Sequence, residues 1–183
     1  MILANYGVRT YQVSDLDEHH SFADYQINRV LTCILMVILG YDYCHIRGYA
    51  GEMAAISMGV YLYRMVAALA DVYEGRLQQS DKMYLAGISQ ALRSIVMLVF
   101  FSAVLFVTHN LGFACIVMAI VAFASFLLLT LPLAYMETPK SRKWEFSSVV
   151  ELFKQCFPLF VALFMYSLID NMPKFLMEGT LSY

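Results

Sequence analysis

Twenty-five consecutive residues, Leu111 to Tyr135, carry no charged side chain. An α-helix rises about 1.5 Å per residue, and about 20 apolar residues cross the hydrocarbon core of a bilayer. Inside that core the backbone must satisfy its own hydrogen bonds, so a spanning run of this kind has to be helical. The rest of the chain agrees with this reading. It is 61% hydrophobic and 14% charged over 183 residues, with a mean hydropathy of +0.64. A soluble domain has about 45–50% apolar and roughly 25% charged residues. The net charge of −2 and the lack of a basic stripe argue against a nucleic-acid partner.

Four more apolar segments join this one: about Asn28–Tyr43, Gly51–Val72, Leu85–Val107 and Leu152–Asp170. The expected fold is all-α, a single polytopic bundle of about five membrane helices with a charged linker near 136–150. The strings Ser21-Phe-Ala-Asp24 and Ser148-Val-Val-Glu151 resemble capping boxes. His109-Asn-Leu-Gly112 reads as a tight turn that makes an antiparallel hairpin of its two flanking helices. Pro158 lies inside the last segment and predicts a kink. Pro173 predicts that the same helix ends near Met172. The opening MILANYGVRT lacks the basic start of a secretory signal and looks like the tail of a preceding helix, as in a fragment of a longer protein.

Lys and Arg counts predict orientation. Nine of the twelve fall on one side (Arg9, Arg29, Arg76, Lys82, Arg93, Lys140, Arg142, Lys143 and Lys154), and two, Arg47 and Lys174, on the other. The N-terminus is therefore expected in the cytoplasm. The remaining one, Arg64, lies within the second segment. There Arg64, Ala68, Asp71, Gly75 and Gln78 step by three and four and share a face, with Glu74 beside it. An arginine at the middle of a membrane helix costs on the order of 2.5–3.5 kcal/mol. It can face a wet cavity, pair with Asp71 or snorkel to the headgroups. Arg93, near Ser89 at the cytoplasmic end of the third segment, is one or two turns in and can snorkel easily. The small residues Gly51, Ala54, Ala55, Gly59, Ala67, Ala68 and Ala70 suit close helix packing.

Little points to covalent chemistry. Cys33, Cys44, Cys115 and Cys156 form no C-x-x-C pair and read as small buried hydrophobes. Asp15, Asp17, Glu18, His19 and His20 crowd together without metal-ligand spacing and read as a solvated loop. The chain has no P-loop, dinucleotide-binding motif, G-x-S-x-G or H-E-x-x-H. No enzymatic activity, metal or cofactor is expected.

Several strings, taken in order, carry a resemblance: NYGVRTYQVSD (5–15), ADYQINRV (23–30), ADVYEGRLQQSDKM (70–83), SQALRS (89–94), CFPLF (156–160) and YSLIDNMPKF (166–175). The series resembles the bacterial oligosaccharide flippases, or polysaccharide biosynthesis proteins, of the multidrug/oligosaccharidyl-lipid/polysaccharide exporter superfamily. Such proteins have about twelve to fourteen helices in two pseudo-symmetric lobes. The resemblance implies that the present helices are the third to the seventh, in the inner membrane. It implies a cationic central cavity for a polyprenyl pyrophosphate-linked glycan, with Arg9, Arg64, Arg93, Asn171 and Lys174 as substrate-binding candidates. Asp71, Glu74 and Asp170 become candidates for coupling to a proton or sodium gradient. The family's Asn-x-Pro-Lys-Tyr string departs here at Phe175. Two other readings stay open: a cation-coupled drug or metabolite exporter, and a non-transporting scaffold for glycan-assembly enzymes.

Overall fold

The computed structural model of the chain describes residues 2–15, 19–138 and 145–181; the side chains of 2, 3, 137 and 174–181 lie outside that description. The helices are α1 (Ile2–Asn5), α2 (Val8–Ser14), α3 (Phe22–Ile46), α4 (Glu52–Gln79), α5 (Met83–Thr108), α6 (Leu111–Ser125), α7 (Leu131–Glu137) and α8 (Phe146–Leu181). A five-residue π-helical turn, Phe126–Thr130, joins α6 to α7 without a break, so the two form one long span. Among the described residues there is no strand. Five helices are long and apolar enough to cross a membrane: Phe22–Ile46, Glu52–Gln79, Met83–Thr108, Leu111–Met136 and Phe146–Pro173. This is the architecture of a multi-pass membrane protein.

Local chemistry sets the helix ends. Ser21 caps α3: its hydroxyl accepts from the Asp24 N–H at 3.2 Å, and the Asp24 carboxylate accepts from the Ser21 N–H at 3.0 Å. A cap of this kind contributes about 1 kcal/mol. His109 takes a left-handed conformation (φ 49°) to close α5, and the Asn110 side chain accepts from the Phe113 N–H at 2.9 Å to open α6. Two residues separate these helices, so they lie antiparallel.

α4 is the central helix, packed against α2, α3, α5 and α6. Its contact with α6 is unusually close. A Cβ built on Gly59 would stand 2.8 Å from the Cys115 carbonyl carbon, and one on Gly112 would stand 3.2 Å from the Ala55 Cβ. One level further on, Val66 and Ala70 cluster with Ala122 and Phe126. The residue numbers rise together on both helices, so α4 and α6 run parallel. A second cluster, Val8, Phe22, Tyr25, Val72, Leu152 and Cys156, holds α8 against α2, α3 and α4. All four cysteines are buried and free. Much of α5 faces outward: Ile88, Leu92, Ile95, Leu98, Val99, Phe106 and Val107 are exposed, as suits a lipid-facing helix.

The structure corrects several expectations. The helices overrun the apolar segments at most ends, because a helix continues past the hydrocarbon as long as its polar turns are capped. Ser148–Glu151 is not a capping box: α8 already begins at Phe146, and the Ser148 hydroxyl instead donates to Asp24 across the helix interface at 2.9 Å. Pro173 does not end the last helix: α8 runs through both Pro158 and Pro173 to Leu181. A proline removes one backbone donor, so a single carbonyl is freed while the flanking turns keep their bonds. The linker expected over 136–150 is helical to Glu137 and again from Phe146, with 139–144 outside the described residues.

The stretch from Asp15 to His20 is not simply solvated. Asp17 and Glu18 lie outside the described residues, but Asp15 and His20 are buried. No group of three metal-ligating side chains occurs among the described residues. The Asp15 carboxylate accepts from the N–H groups of His19 and His20 at 3.0 and 3.1 Å and from the Tyr25 hydroxyl at 2.8 Å. Burial alone would raise its pKa, but these donors outweigh burial and hold it below the ordinary carboxylate value. A carboxyl depressed in the folded state contributes stability that is fully present above its unfolded pKa, about 3.9, and lost as pH falls through the lower folded value. Unfolding scans in detergent should therefore show stability dropping below about pH 4, and Asp15→Asn should flatten that acid limb.

Candidate functional site

The polar face of α4 forms the middle of a charged cluster. Asp71 receives two arginines. Arg9 of α2 reaches its Oδ1 at 2.5 Å, and Arg29 of α3 reaches its Oδ2 at 2.9 Å. Arg29 is only 1% exposed, and it also donates to the Ala4 carbonyl at 2.7 Å and toward Asn5 Oδ1 at 3.4 Å. One turn along α4, Glu74 (2% exposed) pairs with Arg93 of α5 at 2.8 Å and lies 4.0 Å from Arg9. Arg93 donates to Thr130 Oγ1 at 3.2 Å, and Ser89 Oγ stands 2.8 Å from the same oxygen.

The backbone explains how these groups meet. Tyr6 and Gly7 both have positive φ (42° and 70°), which bends the chain between α1 and α2. Gly75 leaves α4 bare where α2 crosses it: a Cβ there would meet Gln12 Oε1 at 2.8 Å. That close crossing lets Arg9 reach Asp71. The Gln12 amide also donates to the Val72 carbonyl at 3.2 Å. Thr130 is the last residue of the π turn, and π turns change the angular phase of the residues that follow them and recur at functional sites.

Beside this cluster lies a cavity of about 200 Å³. Asp71, Glu74 and Arg93 line it together with Arg64, Asn5 and Gln90. Arg64 is exposed and lies 5.8 Å from the centre of the Tyr63 ring. It makes no ion pair among the described residues. The pairing with Asp71 that sequence spacing allows does not form. Seven residues separate the two along the axis, about 10 Å, while Arg9 and Arg29 approach Asp71 from neighbouring helices. Across the cluster, among the described residues, Arg9, Arg29, Arg64 and Arg93 face only Asp71 and Glu74, so positive charge is in excess.

Five of the candidate residues thus gather in one place: Arg9, Arg64, Asp71, Glu74 and Arg93. Asp170 and Asn171 do not join them. Asp170 is exposed on the far half of α8, and Asn171 donates to the Ser167 carbonyl of its own helix at 2.8 Å. The Lys174 side chain lies outside the described residues. Sequence reasoning missed Arg29, Thr130 and Gln90. Arg29 is the instructive case. It reads as a headgroup charge at the mouth of a span, yet Tyr25, Arg29, Thr32, Met36 and Gly40 step by three and four along the buried face of α3. That periodicity places it inward.

The chain matches no protein-family model, no curated protein and no solved structure, so its resemblance to oligosaccharide flippases rests on the strings quoted above.

Proposed function

We propose that the chain belongs to a membrane flippase that moves a lipid-linked oligosaccharide between leaflets by alternating access, with its N-terminus in the cytoplasm. The observation that carries this reading is the excess of arginine in the charged cluster beside the cavity, where Arg9, Arg29, Arg64 and Arg93 meet Asp71 and Glu74. Asp71 and Glu74 are each already engaged by arginine, so the cavity's residual charge is positive and centres on Arg64. A guanidinium in that position suits a phosphate or diphosphate, which it can grip with paired hydrogen bonds. The lipid tail stays in the bilayer while the cavity replaces the headgroup's hydration. No covalent step is required. The same engagement of both carboxylates argues against a cation exporter, which needs an acidic group free to receive its cargo. As coupling groups, Asp71 and Glu74 would work by exchanging arginine partners.

Proteoliposomes holding the chain and a fluorescent polyprenyl diphosphate glycan test the proposal. Flipping should exceed that of protein-free vesicles, and Arg64→Glu should reduce it at least about tenfold, the effect of losing about 1.4 kcal/mol of binding. Equal flipping by the wild type, Arg64→Glu and empty vesicles would overturn it. Capture of glycan-assembly enzymes without any flipping would favour a scaffold.

A further inference from the structure

His20 makes two hydrogen bonds whose directions are set by their neighbours. Its Nδ1 is 2.9 Å from Ser148 Oγ, and its Nε2 is 2.9 Å from Gln155 Oε1. The Ser148 hydroxyl has one proton, and it donates that proton to Asp24 Oδ2 at 2.9 Å. A carboxylate can only accept, so the Ser148 oxygen is left to accept from His20. On the other side, the Gln155 amide nitrogen donates to Glu151 Oε1 at 3.1 Å, which turns the Gln155 oxygen toward the ring. Tyr11 donates to that same oxygen. Burial first, and the Asp15 charge second, raise the Tyr11 pKa, which keeps its hydroxyl a donor. Both ring nitrogens therefore face acceptors. A neutral imidazole has one N–H and would set a lone pair against an oxygen lone pair.

We propose that His20 is a proton-operated clasp: as imidazolium it ties the first turns of α8 to the α2–α3 junction, and on losing a proton it releases them. The groups around the ring suit a cation. Asp15, at the end of α2, accepts from the His20 backbone N–H, and Asp24 of α3 and Glu151 of α8 terminate the two relays. Tyr11 and Tyr25 flank the ring at 5.9 and 6.1 Å. Glu145 and His19 share the adjoining cavity of about 490 Å³. His20 is 6% exposed, yet with Ser148 and the exposed Gln155 it lines that cavity, so the clasp is packed on one side and open to protons on the other. Val149, Leu152 and Cys156 stay buried below the clasp, so its release loosens one end of α8 rather than unfolding the bundle. This device stands apart from the charged cavity and does not depend on the substrate assigned to it.

Hydrogen exchange of residues 146–156 in the full chain, corrected at each pH for intrinsic rates, reads the clasp. Between about pH 6 and pH 8, opening should increase by up to about tenfold per pH unit, the limit for one linked proton. Asp24→Asn keeps an acceptor for the α3 cap but frees the Ser148 proton, so it should flatten this slope. His20→Gln should abolish it. A flat wild-type profile, or a slope that survives His20→Gln, would overturn the proposal. A second measurement does not depend on a clasp variant folding. Imidazole nitrogen NMR of the wild type, assigned by elimination with the exposed-site variants His19→Gln, His45→Gln and His109→Gln, should show both His20 nitrogens protonated at about pH 6. A bare ring nitrogen at that pH would overturn it too.

Discussion

Asp71→Ala is expected to destabilise the folded chain by about 3–5 kcal/mol, the usual cost of stripping one partner from a buried ion pair. The burden falls on Arg29. Its guanidinium has Asp71 as its anionic partner and is otherwise held by the Ala4 carbonyl and Asn5. It is 1% exposed, so it cannot turn to water when the carboxylate is gone. Arg9 is different: its side chain is 34% exposed and can swing outward. The two arginines therefore respond differently. Arg29→Met in the Asp71→Ala background should recover most of the loss, because the buried charge disappears with its partner. Arg9→Met in the same background should recover little. Asp71→Asn should fall between wild type and alanine, since it keeps acceptors but not charge. Thermal unfolding in detergent measures this. At about 2–4 °C per kcal/mol for a chain of this length, Asp71→Ala should lower Tm by roughly 10 °C. A loss under about 1 kcal/mol would mean that Arg29 finds another anion or is hydrated, and the cluster would lose its centre.

The spans were legible because lipid imposes a crude demand: a long apolar run has few other folds available. The cap at Ser21 and the turn at His109 were legible because each is decided within four residues. What escaped was decided between helices. Arg29 reads as a headgroup residue until α4 supplies Asp71 opposite it. Ser148 fits a capping pattern as well as it fits a cross-helix bond to Asp24, and only the start of α8 at Phe146 separates the two. Thr130 sits in the charge-free run that made the fold obvious, so nothing nearby marked it as a partner for Arg93. The same limit applies to Pro173, whose effect depends on whether the helix beyond it continues. The polar face of α4 was visible by periodicity, and its Arg64, Asp71 and Glu74 do meet two expected companions, Arg9 and Arg93, there. Which charge pairs with which was not visible, because pairing follows the distance across helices rather than spacing along one.

The pairing has a consequence for how the site can work. Arg93 is ion-paired with Glu74 on one side and hydrogen-bonded to Thr130 on the other, so α4, α5 and the π turn of the fourth span meet at one guanidinium. A change of charge at Glu74 would be felt at once by three helices. Arg64 has no such tie among the described residues and is free to meet an incoming anion. The paired arginines thus come from α2, α3 and α5, while Arg64, the proposed anion contact, stands on α4 itself.

That face is held in place by the parallel contact of α4 with α6, which predicts a reversal of sign between two glycines. Gly59→Ala should destabilise the chain by about 1–3 kcal/mol, the range for overpacking a filled interface. Its new Cβ would lie 2.8 Å from the carbonyl carbon and Cβ of Cys115 and 2.9 Å from the carbonyl oxygen. Two of those three atoms belong to the α6 backbone, so no rotamer change relieves the clash and the helices must separate. Gly59→Leu should cost more and leave little folded protein. Gly87→Ala on α5 is the control, since nothing lies within 4 Å of its Cβ position. There the better helix former should be neutral or stabilising by up to about 1 kcal/mol. Unfolding midpoints of the two alanine variants, measured in the same detergent, decide the matter. If both shift the same way by similar amounts, glycine is acting through helix propensity alone, and α4 and α6 are not in contact at Gly59. If they diverge, the small residues of α4 are what allow its arginine-bearing face to sit at the middle of the bundle.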